Sequence, residues 1–170
     1  MESLFKRHDL YISSVPMRYI RDFMQRVNWD SRLIMIRGPK GVGKSTLMQQ
    51  YIKRNFAAGD RHVLYCSADT IYFAAHSLLD LAENFVKIGG RWLFIDEVHK
   101  YPGWSREVKE IYDLYRDLHI VLSGSSLIQI NDGQADLSRR IMPYDMPGLS
   151  VREFLHLDLG LDIQPVSWEG

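Results

Sequence analysis

Cysteine is nearly missing from this chain. Cys66 is the only one among 170 residues, which excludes an internal disulfide, and no cysteine-histidine cluster has the spacing of a zinc site. A reducing compartment suits such a sequence. Long apolar runs are missing as well: none approaches the roughly 18 residues needed to span a bilayer, and no apolar stretch of the secretory kind follows Met1-Glu2-Ser3-Leu4-Phe5-Lys6-Arg7. The expectation is a cytoplasmic protein with no membrane partner. Net charge is also lacking, because 21 basic and 21 acidic residues cancel, so the total argues neither for nor against an acidic partner. The distribution is less even. The first 61 residues carry 12 basic and 5 acidic side chains, a pattern that a nucleotide site and a solvated basic face both produce. Internal repeats and low-complexity segments are absent.

What is present is concentrated. Gly38-Pro39-Lys40-Gly41-Val42-Gly43-Lys44-Ser45 is a complete G-x-x-x-x-G-K-[ST] loop, continued by Thr46 and preceded by the apolar run Leu33-Ile34-Met35-Ile36. Glycines let the backbone turn so that several N–H groups point inward, Lys44 adds a full charge, and the following helix presents its positive dipole end. Such a nest suits a nucleoside triphosphate. Residues 38–46 are therefore the predicted phosphate-binding set.

A chain of this length with 46% hydrophobic residues supports one domain. Strands and helices alternate after residue 32, the pattern of a parallel sheet covered by helices. The strands fall at Leu33 to Arg37, His62 to Ser67, Trp92 to Ile95, Ile120 to Ser123 and Ile141 to Met146. Leu47, Met48, Tyr51, Ile52 and Phe56 recur at helical spacing, as do Trp104, Val108, Ile111, Tyr112, Tyr115 and Leu118, and both sets read as core-facing stripes. Upstream, Met17, Ile20, Phe23, Met24 and Val27 predict a further helix, with Arg18, Arg21 and Arg26 on a solvated outer face. Ser150-Val151-Arg152-Glu153 has capping-box spacing and opens a last short helix. The chain thus divides into an N-terminal helical segment (1–31), a nucleotide-binding core (32–148), and a C-terminal helix and tail (149–170).

Trp92-Leu93-Phe94-Ile95-Asp96-Glu97 is a buried strand ending in two acids. At the carboxyl end of a parallel sheet, beside the loop, Asp96 can hold Mg²⁺ through water while Ser45 offers a direct hydroxyl ligand, and Glu97 can orient or deprotonate an attacking water. In Ile120-Val121-Leu122-Ser123-Gly124-Ser125-Ser126, Ser123 and Ser125 both qualify to sense the γ-phosphate or hold that water, and spacing does not choose between them. Arg139 and Arg140 precede the final strand, where either can spread donors over the phosphoryl oxygens of a neighbouring subunit's nucleotide. His99 can couple the acidic pair to a partner or to the serine turn, or simply pack or cap as lone histidines often do. Asp69 suits a turn cap or, less simply, a contact to the nucleotide or a base toward a phosphoryl acceptor.

These stretches resemble the prokaryotic AAA-type ATPases of the additional-strand class. The resemblance rests on Gly38 to Thr46, on Leu93 to Trp104 with its acidic strand running into Tyr101-Pro102-Gly103-Trp104, on Ser123-Gly124-Ser125-Ser126, and on Leu149 to Phe154. It implies an ATPase with an extra strand between the two phosphate motifs, giving a five-stranded parallel sheet of order 5-1-4-3-2 in a three-layer α/β/α phosphate-loop NTPase. It further implies ATP and Mg²⁺ as ligands, a homo-oligomer, and DNA or a following C-terminal nuclease-like region as partners. The small helical lid of many AAA-type proteins is not legible after Met146.

Rival readings fit less well. Asp145-Met146-Pro147-Gly148 spells the D-x-x-G of GTPases, but only 22 residues follow and no N-K-x-D appears among them. Asp96-Glu97-Val98-His99 matches a helicase box, yet the length leaves room for one motor domain rather than two. A small-molecule kinase has no use for a water-activating Glu97. Two readings stay: an ATPase in which water attacks the γ-phosphate, with Lys44 neutralising charge, and an ATP-dependent switch or scaffold with little turnover.

Overall fold

Leu33 to Ile36 are each at most 1% exposed because β1 (Leu33–Gly38) has a neighbour on either side and helices over both faces. The computed structural model describes residues 1–130 and 135–159. Its sheet contains β1, β2 (Val63–Ser67), β3 (Trp92–Asp96), β4 (His119–Ser125) and β5 (Met142–Asp145) in the order β2-β3-β4-β1-β5, with every pair parallel. This is the expected 5-1-4-3-2 order read from the other edge. Strands buried on both faces need apolar side chains in both directions, which is why β1, β2 and β3 read as unbroken apolar runs. Pro143 sits in β5, an edge strand, where a missing N–H costs little.

The faces are covered separately. On one lie α2 (Lys44–Asn55), through Leu47, Met48 and Ile52, and the buried Phe23, Met24 and Val27. On the other lie α3 (Leu78–Lys87), through Leu78, Leu81 and Phe85, and α4 (Trp104–Leu114), through Val108 and Ile111, joined by Leu4 and Phe5 of α1 (Glu2–Ser14). A short α5 (Ala135–Ser138) precedes β5, and α6 (Val151–Leu159) follows it. The expected capping box opens α6: Ser150 Oγ accepts from Glu153 N at 3.2 Å, and Glu153 Oε1 accepts from Ser150 N at 3.3 Å. Gly160 and the tail lie outside the described residues. Among those described, no helix is long and apolar enough to cross a membrane.

The helix predicted over Met17 to Val27 is not there. Only Asp22–Gln25 is helical, as a single 3₁₀ turn, although Phe23, Met24 and Val27 are buried as their spacing suggests. Pro16 holds Val15 extended at φ −65°, ψ 131° and ends α1, and Arg21 is extended at φ −57°, ψ 142°. Arg18 and Arg26 are exposed as expected, but Arg21 points inward and is buried.

α1 crosses edge strand β2, where the buried His8 accepts at Nδ1 from the Tyr65 N–H at 2.8 Å. That bond requires a neutral ring. Burial lowers the His8 pKa from 6.5 to about 4, with Asp9 opposing the shift and Arg61 adding to it. The unfolded chain therefore takes up this proton first: the stabilisation is complete above pH 6.5 and is lost as pH falls toward 4. Chemical denaturation should show a loss of roughly 2 kcal/mol between pH 7 and 4.5 from this residue. His8→Gln retains an acceptor without a titrating ring, so its stability deficit against the parent should shrink as pH falls. A pH-independent deficit would remove His8 as the source.

Candidate functional site

The loop after β1 has room for glycine alone at its first position. A Cβ on Gly38 would meet the Met146 carbonyl at 2.9 Å and Val42 Cγ2 at 3.1 Å. Gly43 ends the loop at φ +101°, a left-handed conformation costly for other residues, and α2 starts at the next residue. The first turn of α2 thus aims its free N–H groups at the loop's concavity. Lys44 Nζ donates across the loop to the carbonyls of Gly38 at 2.7 Å and Pro39 at 2.9 Å. Burial lowers the Lys44 pKa, against the raising effect of Asp96 and Glu97.

A cavity of about 500 Å³ lies over this loop. The strand order brings the sequence's separate motifs to it: Lys40, Lys44, Ser45 and Thr46 from the loop and α2, Asp96 and Glu97 from the end of β3, His99 from the next turn, and Ser125 from the end of β4. Asp96 is 4% exposed and accepts from the hydroxyls of Ser45, Ser123 and Tyr65, the last at 2.5 Å. Glu97 has φ 52° and ψ 46°, the one left-handed non-glycine among the described residues. Such a conformation costs energy that surrounding contacts must offset, and it turns the Glu97 side chain out of the sheet into the cavity.

The two serines separate. Ser123 is 0% exposed and is consumed by Asp96 and by the Glu97 N–H, which donates to its Oγ at 2.9 Å. Ser125 lines the cavity, and its N–H donates to His99 Nδ1 at 3.3 Å, so His99 joins the turn after Glu97 to the serine turn. Asp69 is exposed in a turn, its N–H donating to Ser67 Oγ at 3.2 Å, and it does not line the cavity. Arg139 and Arg140 lie before β5, at the opposite end of the sheet from the loop. Arg139 is exposed, and Arg140 is paired with Asp113 at 3.1 Å.

A second cavity of about 730 Å³ shares Gly41, Gly43 and Thr46 with the first and extends along the other side of the loop. Tyr19 and His156 contribute rings 4.8 Å apart, and Val42, Gln50, Leu149 and Arg21 are also part of the wall. Below it runs a clamp that sequence reading missed. Arg21 donates to Glu153 at 2.8 Å and to the carbonyls of Val42 at 2.8 Å, Pro147 at 2.8 Å and Gly148 at 3.2 Å. Burial raises the Glu153 pKa, but hydrogen bonds from Arg21, the Ser150 N–H and Tyr19 outweigh it and hold the carboxyl below its ordinary value. The only sequence signal was the capping-box glutamate, which accounts for one Glu153 oxygen and leaves the other to find a partner.

The oxygen donors of Ser45 and Asp96 suit a hard cation held partly by phosphates. Among the described residues no three His, Cys, Asp or Glu side chains cluster so as to hold a metal ion.

A family model described as an AAA domain matches residues 30–155. No curated protein sequence matches the chain. Among solved structures, one of C. elegans PCH-2 is similar, with a TM-score of 0.48 and 13% identity, over 86% of this chain and 41% of that one. The chain therefore spans less than half the length of that protein.

Proposed function

We propose that this chain, which belongs to the AAA domain family, binds Mg²⁺-ATP over the loop from Gly38 to Thr46 and hydrolyses it by in-line attack of water on the γ-phosphate. The observation that carries this reading is the convergence of Lys44, Ser45, Asp96, Glu97 and Ser125 on one cavity from three separate strand ends. The loop N–H groups and Lys44 bind the β- and γ-phosphates, while the rings of Tyr19 and His156 offer the neighbouring cavity to the base. Ser45 and Asp96 would hold Mg²⁺, which when bound neutralises charge on the phosphate oxygens. Glu97 accepts a proton from the attacking water, and Ser125 holds that water or the γ-phosphate, a choice supported by its lining the cavity while Ser123 is occluded.

Arg139 and Arg140 lie the length of the sheet, roughly 15–20 Å, from their own loop. An arginine from this turn can serve only the nucleotide of a second copy, and Arg139 is the exposed one.

Ligand that binds only the folded chain must stabilise it, by about 2.7 kcal/mol at a hundredfold excess over its Kd. A thermal-shift titration should show the midpoint rising with Mg²⁺-ATP, and Lys44→Ala should abolish most of the rise. An equal rise in that variant would place the nucleotide elsewhere.

A further inference from the structure

Asp96 accepts at every position a carboxylate offers. Oδ1 takes the Ser123 hydroxyl and, at 3.1 Å, a share of the Glu97 N–H, whose nearer acceptor is Ser123 Oγ at 2.9 Å; Oδ2 takes the Ser45 and Tyr65 hydroxyls. These four donors are not equivalent. Ser45 stands at the start of α2 and lines the phosphate cavity, so its hydroxyl can turn away from Asp96. The other three are fixed: the Glu97 N–H by the backbone, Ser123 by complete burial, and Tyr65 by its own surroundings.

Tyr65 is 3% exposed, its N–H is held by His8, and its ring meets Tyr11 of α1 edge-on at 5.4 Å and 70°. In the β2–β3 register Ser67 stands opposite Asp96, so Tyr65 lies two residues back from the strand end, and only a long side chain on that face reaches the carboxylate. Phenylalanine would fill the same core space. The hydroxyl is what the position adds, and it is spent on the carboxylate oxygen that faces Ser45.

We infer that Tyr65 is a positioning residue for the metal site: its hydroxyl, with Ser123, locks Asp96 so that one Oδ2 acceptor is left for the metal's hydration shell when Ser45 turns to the ion. This rests on the Mg²⁺-ATP reading above. Partners that orient a metal-holding group typically change metal affinity by 10- to 100-fold when removed.

The test is Tyr65→Phe in the full chain, followed by thermal shift at fixed ATP with Mg²⁺ titrated, beside ATP in chelator. The Mg²⁺ concentration for half the metal-dependent shift should rise about 10-fold or more, while the shift by ATP in chelator stays parental. An unchanged Mg²⁺ midpoint overturns the inference and leaves the Mg²⁺-ATP reading standing. Equal losses with and without Mg²⁺ also overturn it, since the hydroxyl would then serve the fold at large. A parent whose stabilisation by ATP ignores Mg²⁺ overturns the metal reading and this inference together.

Discussion

Glu97→Gln is expected to bind ATP as the parent does and to hydrolyse it about 10²-fold more slowly, or worse. Glutamine keeps the side chain's length and its place at the left-handed turn after β3 while removing the carboxylate that Glu97 presents to the cavity. Among the described residues the Glu97 carboxylate receives no hydrogen bond, so the change leaves no buried donor without a partner and binding should survive. Single-turnover hydrolysis measured beside ATP affinity separates the two effects. A variant that hydrolyses at the parental rate would end the water-activating role. A parent that binds ATP tightly and barely turns over would instead favour a nucleotide-dependent switch.

Arg21→Ala should cost about 3–5 kcal/mol of stability, because it leaves the Glu153 charge buried without its counter-charge. The side chains of the pair are only 10% and 7% exposed, so solvent cannot compensate as it would at the surface. The same change frees the Val42 carbonyl of the loop after β1 and the carbonyls of Pro147 and Gly148 before α6. Nucleotide affinity should fall as well, since the clamp ties the loop to the helix that brings His156 to the second cavity. Replacing both partners, as Arg21→Met with Glu153→Leu, should be milder than the single change, because no unpaired charge remains. Urea unfolding of the two singles and the double measures this. A loss under 1 kcal/mol for Arg21→Ala would show that the pair is not holding the segments together.

What could be read from the chain alone was local. Leu33 to Ile36, the loop from Gly38 to Ser45 and the run into Asp96 and Glu97 announce themselves because a strand's burial, a tight turn and a helix start are set by residues adjacent in sequence. The serine choice was not of this kind. Ser123 and Ser125 lie two apart and share a face of β4, so alternation cannot part them; the register does, pairing Ser123 with Ile36 inside the sheet and Ser125 with Gly38 at its end.

The stripe from Met17 to Val27 misled for a related reason. Its apolar residues do face the core, but the spacing says nothing of the chain path between them, and Arg21 turns inward only because Glu153, 132 residues away, is waiting there. Tyr65 was silent because an aromatic in a buried strand is expected whether or not its hydroxyl reaches Asp96. Periodicity reports which way a side chain points. Which distant group it meets depends on the order of the strands and the crossing of α1, and charges and hydroxyls acquire their partners only when that arrangement closes.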